Sequence, residues 1–82
     1  MKIIIIEDEK RTAKELAKTL ETIDDQIKVV AILPSVEQAI SYLQKNSDFD
    51  LIFSDIQLSD GLSFEIFNKI QLSVPRYFLY GL

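Results

Sequence analysis

Phe49-Asp50-Leu51-Ile52-Phe53-Ser54-Asp55-Ile56-Gln57-Leu58-Ser59-Asp60-Gly61 is the stretch whose reading decides the fold. Leu51-Ile52-Phe53 is too short for a helix and has no polar alternation, so it reads as a strand buried on both faces, as in a parallel sheet. The strand delivers one carboxylate, Asp55, to the start of a loop, and Asp60-Gly61 marks a turn. A second stretch has the same design: Ile3-Ile4-Ile5-Ile6 runs straight into Glu7-Asp8-Glu9. In an open α/β sheet ligands bind outside the carboxyl ends of the strands, so neighbouring first and third strands would bring Glu7, Asp8 and Asp55 into one crevice. Carboxylates crowded there resist ionisation unless a cation joins them. Magnesium fits, with manganese as the alternative, because it takes hard oxygen ligands and brings substrate phosphate with it. One acid after one strand is equally well explained as a solvated loop residue; two strand ends together point to a site.

Strands and helices alternate along the rest of the chain. Residues 10 to 23 read as a helix with Ala13, Leu16, Ala17, Leu20 and Ile23 on one apolar face. Lys10, Arg11, Lys14 and Lys18, mixed with Glu15 and Glu21, read first as a solvated face and second as a partner patch. Val29, Val30 and Ile32 give the stretch from Ile27 to Leu33 strand composition, ended by Pro34. Ser35 opens a capping box with Gln38, ahead of a helix to about Lys45 with Val36, Ala39, Ile40 and Leu43 inward. Leu62, Ile66, Phe67 and Ile70 predict a third helix from Leu62 to Leu72, in which Phe64 and Phe67 read as core rather than ligand pocket. Tyr77 to Tyr80 reads as a fourth strand. Right-handed crossovers then leave few ways to arrange these elements around a parallel sheet.

The paired patterns at 3 to 9 and 55 to 61 resemble the receiver domain of two-component response regulators, in the variant attached to LytTR-type DNA-binding output domains. The resemblance covers residues 2 to about 75. It implies a flavodoxin-like three-layer α/β fold with a parallel sheet of order 2-1-3-4, and Asp55 as phosphoacceptor. It also implies Asp8 as a direct magnesium ligand, Glu7 as a ligand through water, and the backbone carbonyl of Gln57 as a further ligand. A sensor histidine kinase is the implied partner, docking on the first helix, and the implied role is signalling rather than enzymatic. A dehalogenase-type phosphatase would need a second aspartate where Gln57 stands.

The sequence has 82 residues, no cysteine and a net charge of -4. That length suits one small domain. The charge argues against nucleic acid as a partner, and the absence of thiols excludes disulfide and zinc-thiolate sites and is compatible with the cytoplasm. The first apolar run is too short and too soon interrupted by acids for a signal peptide, and nothing approaches membrane-spanning length.

The family pattern continues through a fourth helix, a fifth strand carrying a lysine and a fifth helix, and expects a threonine or serine about where Tyr80 stands. Residues 1 to 82 are therefore expected to be a single truncated receiver domain. Two functions stand side by side. One is a phosphoacceptor at Asp55; the other is a phosphorylation-impaired module that binds partners or pairs through residues 76 to 82 as a homodimer or domain-swapped dimer.

Overall fold

The four isoleucines of β1 (Lys2–Ile6) are the centre of the molecule, each no more than 1% exposed. Successive strand side chains point to opposite faces, so one run seeds two cores. Ile3 and Ile5 join Ala13 in one cluster, while Ile4 and Ile6 join Leu33, Val36, Ala39, Leu43, Ile52 and Ile66 in the other. At about 1.5–3 kcal/mol for each fully buried side chain, this strand alone contributes on the order of 6–12 kcal/mol gross.

The computed structural model describes residues 1–71 and 75–79, with residues 76–79 as a strand only. Its elements follow as α1 (Lys10–Ile23), β2 (Lys28–Leu33), α2 (Val36–Lys45), β3 (Leu51–Asp55), β4 (Gln57–Leu58), β5 (Gly61–Leu62), α3 (Phe64–Lys69) and β6 (Arg76–Leu79). The main sheet is parallel in the order β2-β1-β3-β6, the expected 2-1-3-4. Side chains of α1 pack on the Ile3–Ile5 face, and those of α2 and α3 on the Ile4–Ile6 face, giving three layers. Among the described residues no helix is long and apolar enough to cross a membrane.

Three local expectations change. Ile23 closes α1 but is 73% exposed. At 3.6 residues per turn it lies about 80° around the helix from Ala13, at the margin of the apolar stripe, and Ile27 joins the cluster in its stead. The third helix is shorter than Leu62–Leu72: it starts at Phe64 and gives way to extended backbone at Ile70. Leu62 is drawn instead into a two-stranded antiparallel ribbon, β4–β5, where it pairs with Gln57 and donates its N–H to Glu65 Oε2 at 3.0 Å. Leu62 and Phe64 are consequently 46% and 45% exposed, whereas Ile66, Phe67 and Ile70 reach the core. Residues 72–74, Tyr80 and the side chains on which the pairing interface at 76–82 was expected lie outside the described residues.

The ribbon turns tightly at Ser59-Asp60, between the paired Leu58 and Gly61. Gly61 has φ +148°, a region that side chains rarely adopt, and a Cβ there would run into the Glu65 carboxylate that caps Leu62. Gly61→Ala is expected to destabilise the fold by about 1–3 kcal/mol. Urea unfolding followed by circular dichroism reads this as a lower midpoint at unchanged slope; an unchanged midpoint would contradict the assigned turn.

Candidate functional site

The register of β1 on β3 builds the site. Ile6 pairs with Ser54, so Glu7, the first residue past β1, and Asp55, the last residue of β3, stand at the same level. The N–H of Glu7 donates to the Leu33 carbonyl at 3.0 Å, tying this exit to the end of β2. Glu7, Asp8 and Asp55 each offer a carboxylate oxygen, and these oxygens lie within 4.8 Å of one another. The three sequence-predicted carboxylates are therefore brought together. Gln57 opens β4 just beyond Asp55 and is exposed. Glu9, the third acid of its run, is the N-cap position of α1 and is not in the cluster.

The three acids differ in environment. Asp8 is exposed, Asp55 half-buried, and Glu7 buried at 9% exposure. Oδ1 of Asp55 accepts from the Ile56 N–H at 2.8 Å. Oε2 of Glu7 is buried with no hydrogen-bond partner. Burial pushes the Glu7 carboxyl up to about 7, helped by a hydrogen bond with Asp55 and by the charges of Asp55 and Asp8, while a backbone donor at Asp8 pulls it down. A buried oxygen without a donor, facing two further carboxylates, matches the hard-oxygen preference of a divalent cation. The residues present fit magnesium or manganese.

This raised value has a stability consequence. A carboxyl whose value rises from 4.5 in the unfolded chain to about 7 in the folded one binds its proton more tightly when folded. Its contribution is therefore complete below 4.5 and is lost as pH rises through about 7. Without added cation, Tm is expected to fall across that window, and Glu7→Gln is expected to flatten the fall. Differential scanning calorimetry in chelator checks both; a Tm that rises over the window would contradict the assignment.

Asp60 was legible only as part of a turn, and the structure gives it a second role. Its Oδ1 accepts from the Val36 N–H at 2.8 Å and its Oδ2 from the Glu37 N–H at 3.1 Å. The Val36 and Glu37 donors hold its carboxyl below the usual range. Ser35 Oγ accepts from the Gln38 N–H at 3.0 Å, as the capping pattern predicts. Three successive amides of the first turn of α2 are thereby satisfied, two of them from the distant ribbon. Asp60-Gly61 marked a turn in the sequence; the partner of Asp60 on α2 had no such signal. Beside the carboxylates, a cavity of about 300 Å³ is lined by Glu7, Asp8, Lys10, Lys14, Ile32 and Pro34. Lys10, Arg11, Lys14 and Lys18 are exposed, and Arg11 pairs with Glu15 along the same helix.

A parallel sheet of this order, with acids gathered where β1 and β3 end, is the architecture of a receiver, and the comparison with protein families agrees. The response regulator receiver domain family matches residues 3–78, and the chain belongs to it. It is 37% identical over 71 residues to the sensory transduction protein LytT of Bacillus anthracis, a match covering 87% of this chain and 28% of that protein. Among solved structures it resembles the response regulator PhyR from Brucella abortus, with a TM-score of 0.79 and 28% identity over 94% of this chain and 32% of that one. It also resembles the PhyR receiver domain from Erythrobacter litoralis, with a TM-score of 0.80 and 26% identity over 96% of this chain and 61% of the other. The chain thus spans under a third of the length of its curated relative.

Proposed function

We propose that this receiver accepts a phosphoryl group on Asp55, with a sensor histidine kinase as donor and the cytoplasm as its place of action. The observation that carries the reading is the convergence of Glu7, Asp8 and Asp55 oxygens within 4.8 Å around the unpartnered Glu7 Oε2. A carboxylate oxygen of Asp55 attacks phosphorus; the bond from phosphorus to the donor nitrogen breaks, its electron pair leaves with the nitrogen, and an acyl phosphate remains. The Ile56 N–H holds Asp55 Oδ1, which restrains rotation of the carboxylate during attack. Glu7, Asp8, Asp55 and the backbone carbonyl of Gln57 are the groups that would hold magnesium or manganese. Such an ion, when bound, offsets the charge of the carboxylates and of the transferring oxygens. Residues 1–82 act in this reading as one receiver unit. Incubation with acetyl phosphate and magnesium, followed by intact-mass spectrometry, tests it: a phosphoryl adduct that maps to Asp55 supports the reading, and no adduct on a folded chain ends it.

A second reading, a partner-binding or pairing module with slow phosphorylation, has its own observations. Among the described residues the ion pairs are Lys2–Asp48 and Arg11–Glu15, so no lysine is paired with the three carboxylates. Transfer then lacks one direction of electrostatic support. β6 is also the outermost strand beside β3 in the described sheet, and an open edge is a template for pairing with a second copy. Light scattering at micromolar concentration separates a homodimer from a monomer.

A further inference from the structure

We infer that Asp60 is a positioning residue for the acceptor: its carboxylate, clamped to the Val36 and Glu37 amides of α2, sets the backbone that follows Asp55. The inference rests on the reading of Asp55 and its neighbours as the cation and phosphoacceptor site. Asp55 and Asp60 stand at opposite ends of one short segment, and that segment is held at its base, middle and tip. At the base, the Ile56 carbonyl accepts from both the N–H and the Oγ of Ser63, at 2.9 and 3.2 Å. In the middle, Leu58 is buried in the same cluster as Val36. At the tip, Asp60 spans two amides of α2.

Ile56 is the junction between ribbon and acceptor. Its carbonyl anchors the ribbon through Ser63, and its N–H donates to Asp55 Oδ1 at 2.8 Å. Because Ile56 carries both the ribbon's anchor and the donor to Asp55, a ribbon released at its tip pulls on that residue and shifts the Asp55 carboxylate with it. Coupling between two sites is reciprocal in binding free energy, so filling the carboxylate cluster also tightens the clamp on α2.

Mn²⁺ titrated calorimetrically into the intact chain tests the coupling. The wild type is expected to bind, and Asp60→Ala to bind at least about fivefold more weakly while keeping its circular dichroism spectrum, the lower end of ordinary site-to-site coupling. Asp60→Asn keeps one acceptor oxygen and is expected to recover part of the loss; it is the measured variant if the alanine form does not fold. Ser35→Ala removes a different cap of the same helix turn without touching the ribbon and is expected to bind as the wild type does. Hydrogen exchange at Val36 and Glu37 is expected to slow when Mn²⁺ saturates the wild type. Wild-type affinity in both Asp60 variants, an equal loss in Ser35→Ala, or unchanged exchange would overturn the positioning role and leave the phosphoacceptor reading intact. A wild type that binds no Mn²⁺ would overturn the site itself, and the positioning role with it.

Discussion

Asp55→Asn is expected to abolish labelling by acetyl phosphate altogether, the largest effect of any single change in this chain. The substitution keeps size and shape but replaces the carboxylate proposed as nucleophile by an amide. Glu7 and Asp8 share the cluster, yet neither stands in its place: Glu7 is buried and held largely protonated below about 7, and Asp8 leaves the neighbouring strand. The wild type is expected to label slowly, because no lysine pairs with the carboxylates among the described residues. Quantitative intact-mass measurement over time checks both statements. An adduct persisting in Asp55→Asn would move the nucleophile elsewhere, and rapid stoichiometric labelling of the wild type would remove the slow-transfer reading.

The second large effect concerns the cation. Either Asp8→Asn or Asp55→Asn is expected to remove the calorimetric heat of magnesium or manganese binding, since each takes a full charge from a cluster whose oxygens lie within 4.8 Å. Glu7 adds a proton to this equilibrium. Below about 7 its carboxyl carries a proton that a cation would displace. Apparent affinity should therefore climb with pH up to about 7 and then level, and the observed heat should depend on the ionisation enthalpy of the buffer. Affinity that is flat across this range would show that Glu7 takes no part, and heat retained in either aspartate variant would refute the site.

Much of the architecture could be read in the chain because its signals are local. Ile3–Ile6 and Leu51–Phe53 are unbroken apolar runs too short for helices, and each ends in acid; composition and length alone separate them from the helical periodicities of 10–23 and 36–45. The handedness of crossovers then leaves few arrangements, and the receiver resemblance picks out among them the observed β2-β1-β3-β6 order. The gathering of Glu7, Asp8 and Asp55 was legible for the same reason, since strand ends mark the crevice of such a sheet. What the strand runs do not encode is the level at which they pair. The register Ile6 to Ser54 decides that the oxygens converge, and only packing decides that Glu7 is buried while Asp8 is exposed. The Asp60 clamp was invisible for a related reason. It joins residues 24 positions apart through the unsatisfied amides of a helix start, and a sequence records which groups can donate and accept, whereas only the folded chain decides which of them meet.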